Sequence, residues 1–64
     1  MKKDIYKFTA YETSEMIDAY GDTEKALDGA IDQARERARL YVIPCQWNAF
    51  YNDDDGITVE RYRK

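Results

Sequence analysis

The stretch Asn52-Asp53-Asp54-Asp55-Gly56 concentrates carboxylates more densely than any other part of this 64-residue chain, and oxygen-rich loops of this kind can hold calcium. An EF-hand loop needs oxygen ligands at its first, third and fifth positions, glycine at the sixth and glutamate at the twelfth. Setting Gly56 at the sixth position puts Tyr51 at the first and Tyr62 at the twelfth, so the pattern fails at both ends. The expectation is a solvated turn. Arg35, Arg37 and Arg39 could form a phosphate- or RNA-binding patch. Helical spacing, however, places Arg35 and Arg39 on the flank of Asp28 and Asp32 and turns Arg37 to the other. An Asp32–Arg35 pair at i,i+3 is worth a few tenths of a kcal/mol, and a charge-matched exposed helix is expected. Cys45, the only cysteine, has no histidine to activate it and no predicted helix N-terminus beside it, so it reads as a packed small residue. A lone thiol without histidine closes neither a zinc shell nor an intrachain disulfide. Carboxylates are plentiful, but nothing fixes two of them around a cleft, and a domain this small seldom encloses a pocket of ~300 Å³. No enzymatic activity, catalytic residue, cofactor or metal is expected.

The aromatic set is richer. Six tyrosines, two phenylalanines and one tryptophan exceed what so small a core can hold. Strand assignment places Tyr11, Tyr20, Phe50 and Tyr62 away from the main helix. An open sheet face carrying them, flanked by Lys7 and Arg61, would suit a protein interface, where tyrosine is a common anchor. It would also suit stacking of unpaired bases, as in sheet-based RNA binders.

The elements that must position these residues follow from periodicity. Asp4 to Glu12 alternates as a strand, with Tyr6, Phe8 and Ala10 on one face and Ile5, Lys7, Thr9 and Tyr11 on the other. Ser14 to Gly21 fits a second strand, with Ile17 and Ala19 inward and Met16, Asp18 and Tyr20 outward. It equally fits a two-turn helix capped by Thr13 or Ser14 and stopped by Gly21. The strand is preferred. Thr23 to Arg39 is the clearest helix: Asp22 or Thr23 caps it, and acids precede arginines along the dipole. Its apolar stripe is Leu27, Ala30, Ile31, Ala34, Ala38 and Tyr41, with Lys25, Gly29, Asp32 and Glu36 opposite. Leu40 leaves the stripe, and Pro44 forces Ile43 to extended geometry, so the helix should end between Arg39 and Tyr41. Gln46–Asn52 and Ile57–Arg63 form a hairpin, with Trp47, Ala49 and Tyr51 sharing one face and Ile57 and Val59 facing the core. Asp55-Gly56 supplies the loop's positive φ. The predicted fold is α+β, a small antiparallel sheet with one helix across it in the order β-β-α-β-β; the alternative order is β-α-α-β-β.

One domain spans residues 1–64. Thirteen acids against ten bases leave a net charge of −3, which argues against a duplex-DNA binder. Residues 1–11 and 57–64 each carry +2 around an acidic middle. No apolar run approaches a membrane span, the start Met-Lys-Lys-Asp lacks the apolar core of a signal peptide, and a free thiol fits the cytoplasm. With neither disulfide nor metal to staple so small a core, a partner subunit is the remaining device. In size, charge and lack of catalytic chemistry the chain resembles, in type rather than motif, the small accessory proteins of viruses and mobile elements. The expected function is a non-catalytic interaction protein that binds a partner, itself or a larger protein, through the aromatic sheet face. The alternative is a single-stranded nucleic-acid binder using the same aromatics with Lys2, Lys3, Arg61, Arg63 and Lys64.

Overall fold

A computed structural model describes residues 2–38 and 45–63. The elements are β1 (Lys2–Lys7), α1 (Ala10–Tyr20), α2 (Thr23–Ala38), β2 (Cys45–Tyr51) and β3 (Ile57–Arg63), so the order is β-α-α-β-β. The second strand preferred from sequence is therefore a helix.

The reason lies at Thr9. Its side chain accepts the Glu12 N–H at 3.1 Å while the Glu12 carboxylate accepts the Thr9 N–H at 3.0 Å, a complete capping box. That exchange ends the strand at Lys7 and commits Ala10–Glu12, expected to be extended, to the first turn of α1. The cap is Thr9, upstream of the Thr13 or Ser14 expected for a helix here. Helical phase then buries Thr13 and Met16 and exposes Ala19, against the facing expected of a strand, while Ile17 stays packed on the core and Asp18 and Tyr20 stay exposed as expected. Gly21 stops α1 in the left-handed region at φ 103°, with its N–H on the Ile17 carbonyl at 2.9 Å. Asp22 caps α2 through the Lys25 N–H at 2.7 Å. The helix end expected between Arg39 and Tyr41, the off-stripe Leu40, the extended Ile43 and Lys64 lie outside the described residues.

Among the described residues the sheet is three-stranded and antiparallel in the order β1-β3-β2. β3 is central: Tyr6 and Ala49 flank Val59, and Asp4 and Trp47 flank Arg61. Both helices lie on the face carrying Ile57 and Val59, and the core joins these to Phe8, Met16, Ala26, Ala30 and Ala34. The alanines let α2 approach the sheet closely. Gly29, expected on the solvent side, is buried instead: a Cβ there would sit 2.3 Å from Cε2 of Tyr20, so the missing side chain is what seats Tyr20 against α2. At the hairpin, Asp55 and not Gly56 takes the positive φ, at 62°. Gly56 answers a different need, since a Cβ on it would lie 2.4 Å from the Phe8 carbonyl oxygen.

Candidate interaction surface

The two helices leave the other face of the sheet uncovered by any described element. Period-two alternation and the register put three cross-strand rows on it: Lys7, Thr58 and Phe50; Ile5, Glu60 and Asn48; Lys3, Tyr62 and Gln46. Glu60 sits at the centre. Its carboxylate meets Lys3 Nζ at 3.3 Å and accepts the Tyr62 hydroxyl at 3.1 Å, with Asn48 as a further hydrogen-bond partner. Burial by itself would raise the Glu60 pKa and is the strongest single influence. The hydrogen bonds from Tyr62, Lys3 and Asn48 together outweigh it and leave the group below the usual carboxylate range. Asn52 Nδ2 donates to Thr58 Oγ1 beside this network. Two apolar side chains flank it without cover, Ile5 at 51 % exposure on β1 and Phe50 at 40 % on β2. A satisfied polar centre between exposed apolar groups is a surface that can exclude water from a partner without stranding a buried charge.

Of the six residues expected to form the interface, the structure brings Phe50, Tyr62 and Lys7 together here. Tyr11 and Tyr20 belong to α1, away from this face: Tyr11 is 74 % exposed and Tyr20 packs on Gly29. Arg61 is a correction of a different kind. It shares the face of Ile57 and Val59, the helix-bearing side of the sheet, and is only 5 % exposed. There its guanidinium lies 5.7 Å from the ring centroids of both Tyr6 and Trp47. Nε and Nη2 both donate to Asp4 Oδ2, Nε at 3.1 Å. The Asp4 hydrogen bond holds the Arg61 pKa above its ordinary value against the opposing effect of burial. Nη1 is buried with no hydrogen-bond partner among the described residues. Ile5 and Asn48 were not foreseen on this face, although alternation with Lys7 and with Phe50 already assigned them to it.

The remaining candidates take structural places. Arg37 bonds Glu12 at 3.3 Å and lies 4.5 Å over the Phe8 ring, while Arg35, expected to pair with Asp32, lies 5.7 Å over Trp47. The Thr9 amide, followed by its hydroxyl and by Arg37, draws the Glu12 pKa down. Asp54 Oδ1 accepts the Gly56 N–H at 3.2 Å, and among the described residues no three acids, thiols or imidazoles gather where one ion could bind. Cys45 is a free, half-buried thiol. No helix among the described residues is long and apolar enough to cross a membrane. No protein-family model matches this chain, and neither a curated protein nor a solved structure does so.

Proposed function

We propose that this chain is a non-catalytic interaction protein that receives a protein partner on the uncovered face of its sheet. The observation that carries the reading is the presence of Ile5 and Phe50, about half and two-fifths exposed, on either side of the internally satisfied Lys3–Glu60–Tyr62 cluster. Burying their exposed parts against a partner would contribute about 2 kcal/mol each, at roughly 25 cal/mol per Å². Tyr62 fits the role of a rigid anchor whose hydroxyl is already engaged, so docking over its ring strands no donor. The single-stranded nucleic-acid reading draws less support. Its expected cation Arg61 is turned to the opposite side and bound to Asp4, and a carboxylate held charged stands at the middle of the face, where it repels phosphate. A free thiol suits a reducing compartment, so we place the protein in the cytoplasm.

A photo-crosslinking residue placed at Ile5, and separately at Tyr11, tests this in the producing cell. A discrete protein adduct from position 5 and none from position 11 is expected. Equal adducts from both positions, or nucleic-acid adducts from position 5, would contradict the proposal.

A further inference from the structure

The two edges of the sheet are built differently. The edge strand β1 (Lys-Lys-Asp-Ile-Tyr-Lys) carries four charged residues, which is how edge strands are commonly kept from pairing. The other edge strand, β2 (Cys-Gln-Trp-Asn-Ala-Phe-Tyr), is seven residues long and carries none. The ladder's phase shows which groups it offers. Asn52 N–H bonds the Gly56 carbonyl at 2.7 Å, and Asn52 continues the β2–β3 register, so Gln46, Asn48 and Phe50 also turn their backbone groups toward β3. Cys45, Trp47, Ala49 and Tyr51 therefore direct their N–H and C=O groups outward, where no described strand pairs with them. These are obligatory hydrogen-bonding groups lined up on an uncharged edge.

We propose that two copies of this chain join their β2 edges antiparallel about a twofold axis at Asn48, making one continuous sheet from the two three-stranded ones. The choice of a second copy rests on self-complementarity at this register. Trp47 falls opposite Ala49 of the other copy, Tyr51 opposite Cys45 and Phe50 opposite Gln46, so each large ring meets a smaller side chain. Asn48 meets Asn48, whose amides supply both donor and acceptor to one another. No like charges oppose anywhere along the overlap. The contact rests on the backbone groups of the β2 edge and leaves Ile5 far from the axis; Phe50 belongs to both surfaces, and two partner faces are set side by side across the seam.

The test is light scattering with size exclusion on the whole chain, joined to amide exchange. Wild type should run at about twice its 7.6 kDa mass. Chemical synthesis can place an N-methyl group on Ala49, whose N–H makes no bond to β3. That chain should run as a monomer with unchanged circular dichroism, whereas Ile5→Lys, which impairs the face, should stay dimeric. In wild type, exchange at Trp47, Ala49 and Tyr51 should slow about tenfold or more as concentration rises, while exchange at Lys3, Ile5 and Lys7 on the β1 edge should not change. A wild-type monomer at all concentrations, a folded N-methyl chain that remains dimeric, or unchanged exchange at the three β2 amides would each overturn the proposal.

Discussion

Gly29→Ala separates the sequence's view of α2 from the structure's. On a solvent-facing helix position, alanine for glycine stabilises by about 1 kcal/mol, because glycine gives up more backbone freedom on folding. Here the new Cβ would stand 2.3, 2.5 and 2.7 Å from three ring carbons of Tyr20, all well inside contact distance. Something must move. The yielding part is an aromatic ring with 39 % exposure, so displacement rather than collapse is expected, at an overpacking cost of about 1–3 kcal/mol. Set against the propensity gain, the net effect in wild type is between nearly zero and about 2 kcal/mol of destabilisation. In a Tyr20→Ala background the ring is gone, and Gly29→Ala should stabilise by about 1 kcal/mol. The four proteins form a double-mutant cycle, read by urea unfolding followed at the helical circular dichroism band. The coupling between the two sites should be about 1–3 kcal/mol. Stabilisation of about 1 kcal/mol by Gly29→Ala in both backgrounds would mean that Tyr20 does not occupy the space over Gly29.

Further perturbations test other parts of the frame. Asp4→Ala leaves the buried Arg61 guanidinium without its carboxylate and should cost about 2–3 kcal/mol, whereas Arg61→Met, which keeps volume and removes the buried charge, should cost less; equal losses by urea denaturation would argue against a buried ion pair. Gly56→Ala meets a backbone oxygen that cannot swing aside and should destabilise by about 3 kcal/mol, while Asp55→Gly relieves a positive φ and should be neutral or stabilising in thermal melts. Thr9→Ala removes half the capping box and should cost about 1 kcal/mol, with helicity lost from α1 first. Glu12 and Glu60 both have folded pKa values below their unfolded ones, so their contribution is present above about pH 4.3 and is lost as pH falls through the lower folded values. The urea midpoint should therefore drop on acidification below that pH, with a shallower drop in Thr9→Ala and in Lys3→Met.

Most signals set by neighbouring residues were readable, and those whose partner lay far along the chain were not. Asp22 capping α2 and the hairpin from β2 to β3 are set by neighbouring residues, as is Gly21 stopping α1, which belonged to the helical alternative for Ser14–Gly21 and not to the preferred strand. Thr9-Ala10-Tyr11-Glu12 was equally local, a capping box in plain view, but the alternation of Tyr6, Phe8 and Ala10 ran across it and favoured a longer strand. The burial of Gly29 depends on Tyr20, nine positions earlier and on the other helix. Arg61 shows two rules in conflict. Strand parity with Ile57 and Val59 pointed it inward, while its charge argued for solvent. The deciding partner, Asp4, lies 57 positions away, beyond any local pattern. The same parity placed Phe50, Tyr62 and Lys7 together on the open face, so half of the expected surface was legible. Tyr11 and Tyr20 left it once their segment became helical.

A protein partner that docks on the uncovered sheet face must draw affinity from Ile5 and Phe50. The most direct measurement is the affinity of the partner captured at position 5 for wild type and for the Ile5→Ala/Phe50→Ala double variant, by titration calorimetry on folded protein. Truncating the two side chains removes roughly 3 kcal/mol of apolar burial from the contact, so a loss of about a hundredfold is expected. An affinity unchanged within about twofold would contradict it.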